Sequence, residues 1–397
     1  MQTISYIGIG ILGLFVFFIL NKKHKQLNDY ILALLNGLLA LFLFFNVWVA
    51  ESINAINFIL QGIINLALIP VFLLYGLLSV APKQVIRKQW WWIIADTLAF
   101  TAFIIIDFTL LTEYTPQKLE ELYRTPPLIY HIFYKGHFLF VIVALLWFLK
   151  KINKYQQQIK SQYSFIDPIQ LDWLKWVTQI YLANHSLSLV IFLLYNFNIL
   201  FSNNIEIVYN ILNGSIVIAT FYTSYRGIKH YTAAELYQAQ DKSVINNHKE
   251  EFQQEILTEK EEEKPLEKYQ TSSLSDEVMQ QLHQRLITLL EEERIYLEPK
   301  LQLQEVAQQL DVTTHVLSQT INTLSQKTFY HLINGYRVAH LKKMLQDKGQ
   351  KQFTILALGL DSGFNSKASL NRIFKQYTGQ TPREYQKTQV IQESLNP

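Results

Sequence analysis

Near the C-terminus, two short runs carry side chains suited to bonding base edges and phosphates. Thr314, His315, Ser318, Gln319 and Asn322 fall on the outward side of one helical stretch, and Lys367, Ala368, Asn371, Arg372 and Lys375 on that of another. Arg pairs bidentately with guanine and Gln or Asn with adenine, each pair discriminating by about 1–3 kcal/mol. Lys and Arg can instead touch only phosphates, which fixes register without reading sequence. That alternative suits Lys375, whereas Arg372 is the stronger candidate for a base contact; His315 is also compatible with plain solvated surface.

A second set of ionisable groups lies in strongly apolar surroundings. Asp107, His131 and Lys135 fall within stretches long enough to cross a bilayer, where a charge is costly and marks a functional candidate. Three readings stand side by side: an outward-opening pocket for a small polar ligand, a structural Asp107–Lys135 ion pair with Asn side chains joining the helices, and a proton path. Enzymatic chemistry has little to work with. The chain has no Cys, no Gly-rich phosphate loop, no His-x-x-Glu-His metal motif and no nucleophile elbow, so no cofactor and no metal are expected.

The elements that must position these groups divide the chain by charge. Residues 1–230 hold 16 Lys+Arg against 10 Asp+Glu, residues 231–300 hold 8 against 16, and residues 301–397 hold 11 against 6. In the first part seven apolar stretches run approximately over Ile4–Leu20, Tyr30–Ala50, Ile56–Val80, Trp91–Leu111, Leu128–Leu149, Ile180–Leu200 and Ile207–Tyr225. A bilayer core needs about 20 helical residues. Cations cluster in alternate connections, at Lys22, Lys23 and Lys25, at Lys83, Arg87 and Lys88, at Lys150, Lys151, Lys154 and Lys160, and at Arg226 and Lys229. The opposite connections carry only Lys118 and Arg124. The positive side is cytoplasmic, which puts the N-terminus outside and everything after residue 226 inside a multi-pass inner membrane protein. Trp90–Trp92, Trp173 and Trp176 fall where an inner aromatic belt belongs. Residues 231–274 then read as an acidic cytoplasmic linker.

The last part contains an internal repeat. Leu317–Asn322 aligns with Leu370–Lys375 at an offset of 53. Each run follows a short amphipathic helix and a tight turn. In the first unit Gln302–Leu310 buries Leu303, Val306, Ala307 and Leu310, Asp311-Val312 turns, and Thr313 caps the second helix. In the second unit Ile355, Leu356 and Leu358 form the buried face, Gly359 allows close approach, Ser362-Gly363-Phe364 turns, and Asn365 or Ser366 caps. Helix, short turn, helix is the helix-turn-helix pattern. An amphipathic helix over Phe329–Leu345 separates the units. Another precedes them, capped by Ser275, facing inward with Val278, Leu282, Leu286, Leu289 and Leu290, and ending near Pro299.

The stretch SGFNSKASLNRIFKQYTGQTPREY, with Gly-x-Thr-Pro-x-x-Tyr at Gly379–Tyr385, resembles the DNA-binding domain of the arabinose-regulator (AraC/XylS) family of bacterial transcription regulators. The helix before the units and the Tyr296–Leu303 lead-in resemble the membrane-anchored members of Bacteroidetes-type bacteria. The resemblance implies that His315, Ser318 and Gln319 reach bases from one unit and Lys367, Asn371 and Arg372 from the other, with Asn322 and Lys375 beside them. Two positions depart from the family pattern: Gln326 stands where a Gly matching Gly379 is usual, and Asp311 replaces a turn Gly. The expected fold is therefore all-α: a seven-helix transmembrane bundle over 1–230, the linker, an AraC-type double helix-turn-helix domain over 275–390 and a short tail over 391–397. The expected partners are double-stranded promoter DNA and the lipid bilayer, with an unidentified small-molecule signal and a homodimer as further candidates. The expected function is a one-component regulator that senses at the membrane, the alternative being the same regulator on a passive anchor.

Overall fold

The computed structural model describes residues 2–22, 25–51, 55–80, 91, 95, 97–99, 101–102, 128–196, 205–229, 276–350 and 352–395. It divides into two compact units, Met1–Tyr155 with Leu171–His230, and Gln156–Gln170 with Tyr231–Pro397. Among the described residues the structure is helical, with one isolated antiparallel bridge between Tyr163 and Gln302.

The first unit holds α1 (Gln2–Leu20), α2 (Leu27–Glu51), α3 (Ala55–Val80), most of α4 (Leu128–Gln162), α5 (Asp172–Asn196) and α6 (Ile205–Lys229). Helix α1 packs on α2, α2 on α3, α5 on α6, and α6 on α1 and α2. Its interior is apolar, from Leu12 and Leu35 through Phe72, Leu145 and Phe148 to Leu174 and Ala219, but it also encloses polar side chains. The Ser224 hydroxyl donates to Asn36 Oδ1 at 2.8 Å, the Asn184 amide donates to the Leu212 carbonyl at 2.8 Å, and the Tyr181 and Thr220 hydroxyls lie 2.8 Å apart. Large apolar side chains such as Phe17, Phe18, Leu139, Val143, Ile211 and Ile218 face outward instead.

Seven spans are expected from the sequence, but a narrower set meets the requirement for length and apolarity. Among the described residues Leu27–Phe45 and Gly136–Gln162 are long and apolar enough to cross a membrane, and Tyr6–Leu20 and Leu66–Val80 are shorter apolar stretches. In α5 and α6 the apolar average is lowered by the Ser, Thr and Asn residues that bond inside the unit. The stretch Trp91–Leu111, with Asp107, lies largely outside the described residues, as do the linker and Ser275. His131 and Lys135 are placed on α4 by their backbone alone. Trp173 is buried, away from any belt, whereas Trp176 is exposed.

The second unit holds α7 (Asp276–Thr288), α8 (Leu303–Gln309), α9 (Thr314–Thr320), α10 (Phe329–Gln346), α11 (Ile355–Asp361), α12 (Lys367–Thr378) and α13 (Pro382–Leu395), which runs past the tail boundary expected at 391. On α7 the buried positions are Met279, Leu282 and Leu286, continued by Leu290 in a wide π turn over Leu289–Glu293. Val278, expected inside, is exposed, because the 3–4 spacing of the inward face runs through 279 and leaves 278 a third of a turn off it. The helix stops before Pro299, at Arg294, whose φ of 53° is left-handed.

Candidate nucleic-acid interface

Caps and turns set where the two outward runs lie. The Thr313 hydroxyl accepts from the Val316 N–H at 3.3 Å and starts α9, and the Ser366 hydroxyl accepts from the Ser369 N–H at 3.1 Å and starts α12. The cap is thus Ser366, and Asn365 instead donates its amide to the Pro299 carbonyl at 2.6 Å. Helix α8 closes on Asp311 (φ 54°) and α11 on Gly363 (φ 87°), 52 residues apart, while the two caps are 53 apart. The second turn is therefore one residue longer, and that residue is spent on the Asn365 tether.

Beyond the caps the register of 53 persists. Leu317 and Leu370 are buried, as are Ile321 and Phe374, so the same faces of α9 and α12 point out. Gln326 and Gly379 both take left-handed backbone, at φ 52° and 78°. A residue with a Cβ is strained there by about 1–2 kcal/mol. Gln326→Gly should accordingly stabilise the unit by about 0.5–1 kcal/mol, part of the strain relief being offset by chain entropy; an unchanged or lower urea midpoint would count against this account.

The motif after α12 has a local reason for each residue. Thr381 and Glu384 cap α13 reciprocally: the Thr381 N–H donates to the Glu384 carboxylate at 2.7 Å, and the Glu384 N–H donates to the Thr381 hydroxyl at 3.3 Å. The backbone N–H of Thr381, and with it the Thr381 hydroxyl, bond the Glu384 carboxyl and hold it below its usual range. Pro382 opens the helix. The Tyr385 ring packs edge-on to Phe374 at 5.5 Å and lies 5.4 Å below the Lys342 ammonium, and its hydroxyl accepts from Gln346 at 3.0 Å. The motif therefore ties the end of α12 to α10.

Of the expected contact residues, His315, Asn322, Lys367, Arg372 and Lys375 are exposed, and Ser318, Gln319 and Asn371 are half-buried. Asn322 lies beyond α9, in a wide turn over Ile321–Ser325. Arg372 differs from the rest because both ends of its guanidinium are engaged. Its Nη2 forms an ion pair with Asp167, and its Nη1 donates to the Tyr330 hydroxyl at 3.3 Å. Burial alone would lower its pKa, but Tyr330 and Asp167 more than offset that and hold it above the usual value.

The sequence reading misses the residues that frame this face. Arg337, 1% exposed on α10, donates to the carbonyls of Tyr296 (2.7 Å), Glu298 (2.6 Å) and Pro299 (3.3 Å), to Asn334 Oδ1 (3.3 Å) and to the Ser164 hydroxyl (3.1 Å). Ser164 belongs to the connector between α4 and α5. Its N–H and hydroxyl donate to the Leu301 carbonyl at 3.2 and 2.8 Å, and its carbonyl accepts from the Asn334 amide at 3.0 Å. The available signal is weak: Asp167-Pro168 marks a turn, but nothing in its spacing says what the turn packs on.

Two histidines behind the face resist protonation. On α10, burial lowers the pKa of His331, helped by Lys160 and Lys327, and burial lowers that of His340, helped by Arg294 and Lys343. His340 Nδ1 is buried without a hydrogen-bond partner. Depressed native pKa values mean that the unfolded chain binds more protons once pH falls through the ordinary His value of about 6.5. Stability should therefore drop as pH is lowered through that value, and His331→Gln with His340→Gln should flatten the drop. A thermal midpoint that rises from pH 7 to pH 6 would contradict it.

Residues 306–388 match the family model of a helix-turn-helix domain. The matched span takes in α9 to α12 and part of each helix flanking them. The matched domain is one of DNA-binding transcription regulation, of the AraC type. No curated protein matches the chain. A solved structure of a protein of unknown function from Listeria innocua is similar at 24% identity over 27% of this chain and 95% of that one, with a TM-score of 0.24.

Proposed function

We propose that the chain is a membrane-bound one-component transcription regulator that reads promoter DNA through two helix-turn-helix units, α8–α9 and α11–α12. The observation that carries the reading is the repeat itself. Caps, buried positions and the left-handed residues after the second helices, Gln326 and Gly379, recur at one register, so two similar polar faces are presented by helices of the kind that enter a major groove. On those faces His315, Ser318, Gln319, Lys367, Asn371 and Arg372 are the side chains for reading base pairs, and Lys375 suits a phosphate. The match over 306–388 supports the same conclusion.

The membrane half of the proposal rests on what faces outward from an interior that is itself mainly apolar. Hydrogen-bonded Asn, Ser and Thr side chains lie inside the first unit while large apolar side chains cover its outside. An apolar exterior of that extent is a surface for lipid, and polar residues inside join helices there. The count of seven spans and the outside N-terminus rest on the apolar stretches and cation distribution of the sequence. Because the chain has no native Cys, a Cys placed at position 120 reports topology cleanly. It should label from outside in intact cells, and labelling only after permeabilisation would reverse the orientation.

The DNA reading is tested by selecting duplexes from a random-sequence pool with the intact protein. Arg372→Ala should relax preference at one base position at a cost of about 1–3 kcal/mol. Lys375→Ala should weaken all sequences alike and lower the salt slope by about 1. An unchanged selected sequence for Arg372→Ala removes that residue from base readout.

A further inference from the structure

Arg372 has both terminal guanidinium nitrogens engaged by protein groups. We propose that the connector Gln156–Gln170 is an autoinhibitory strap: Asp167 holds the Arg372 guanidinium in the place a base edge would take, and DNA reading requires its release. The inference rests on Arg372 being a base-reading residue.

Three observations carry it. The first is competition for donors. A guanidinium reads guanine bidentately through two N–H groups of one edge. In Arg372 both terminal nitrogens are engaged, Nη2 by Asp167 and Nη1 by Tyr330. The Arg372 side chain is still 41% exposed and that of Asp167 22%. The pair thus lies on the face DNA would approach, where its charge is open to exchange.

The second is that the strap is anchored and does not merely touch. Ser164, Ile166 and Ile169 are 1%, 2% and 0% exposed. Ser164 bonds to Leu301, Asn334 and Arg337, all in the same unit. Asp167 stands three residues beyond this anchor. The third is electrostatic. A duplex on α12 brings phosphates to a face where the carboxylate already stands, and like charges in proximity disfavour coexistence. Asp167 and DNA therefore compete for one cation. The strap is the stretch of chain that joins α4 to α5, so a change in those two helices is the physical input open to it.

The test uses the full chain in lipid nanodiscs and a fluorescent duplex selected from a random pool by the intact protein. Asp167→Ala should bind that duplex about tenfold more tightly than the parent, in the range of typical coupling between sites. Asp167→Asn, which keeps the shape and loses the charge, should gain in the same direction by less. In an Arg372→Ala background, Asp167→Ala should change affinity by less than about twofold, since its effect passes through Arg372. An Asp167→Ala affinity equal to the parent's overturns the strap, and so does a gain that persists without Arg372, which would reflect bulk charge. If Arg372→Ala alters the selected sequence while Asp167→Ala gains nothing, only the strap fails. If Arg372→Ala leaves that sequence unchanged, base reading fails and takes the strap with it.

Discussion

Replacing Arg337 by Met should destabilise the second unit by about 3–5 kcal/mol, because several buried neutral acceptors lose their donor at about 1–3 kcal/mol each. The side chain is 1% exposed, and its donors satisfy three carbonyls in the Tyr296–Pro299 lead-in as well as Ser164. Met fills similar volume but donates nothing, and each buried carbonyl left without a donor costs about 1–3 kcal/mol. Lys should rescue little, because one ammonium cannot reproduce a planar fork that reaches several acceptors at once. The variants should be compared by pulse proteolysis of the full chain across urea, following the fragment that carries α10. A midpoint for Arg337→Met within about 1 kcal/mol of the parent's would mean that the lead-in is held by its apolar contacts alone. Loss of Arg337 should also loosen the connector through Ser164, so a partly stable variant should bind the selected duplex more tightly than its stability predicts.

Arg337 also shows where the sequence stops being informative. The periodic and local signals are readable: caps at Thr313 and Ser366, Leu317 and Leu370 turned inward, and left-handed backbone at Gln326. Each depends on residues within one or two turns of one another. In α7 the same reading mistakes Val278 for its neighbour Met279, since a one-residue shift changes an apolar pattern little when both residues are apolar. Asn365 and Ser366 are equivalent as caps by type, and only the distant Pro299 carbonyl decides between them. Arg337 looks like any basic residue on an amphipathic helix, because its partners lie 38 to 41 residues upstream in one group and 173 in another. Asp167 meets Arg372 across 205 residues, a distance over which no spacing rule operates. The Asp107, His131 and Lys135 set is a further case: Asp107 lies outside the described residues, and only backbone is described for the other two.

Gly363→Ala should cost about 2–4 kcal/mol, and the loss should overlap with that of Arg337. At φ 87° an L side chain is strained, by about 1–2 kcal/mol in left-handed backbone. Space is also short: an added Cβ would lie 2.6 Å from the Tyr296 carbonyl oxygen, 2.9 Å from Arg337 Nε and 3.0 Å from the Leu297 carbonyl oxygen. Two of those atoms are backbone, so the conflict cannot be relieved by a rotamer change, and overpacking of this kind costs about 1–3 kcal/mol. The Tyr296 carbonyl is also the acceptor for Arg337 Nε, so moving it away from the added methyl group breaks the bond that Arg337→Met removes. The two losses should thus sum to more than the double variant shows, by about 0.5–3 kcal/mol of coupling. Gly335→Ala is the control of opposite sign. Gly335 sits inside α10 with ordinary backbone, and its added Cβ would meet only Tyr377 Cε1 at 3.6 Å. Alanine there should stabilise by about 0.5–1 kcal/mol through helix propensity. If both alanines destabilised alike, general intolerance of the unit would explain the result, and the close approach at Gly363 would not be needed. Opposite signs, with strong coupling to Arg337 at Gly363 alone, would locate the strain where the second turn meets the lead-in, at the joint that sets how α12 and its Arg372 are presented.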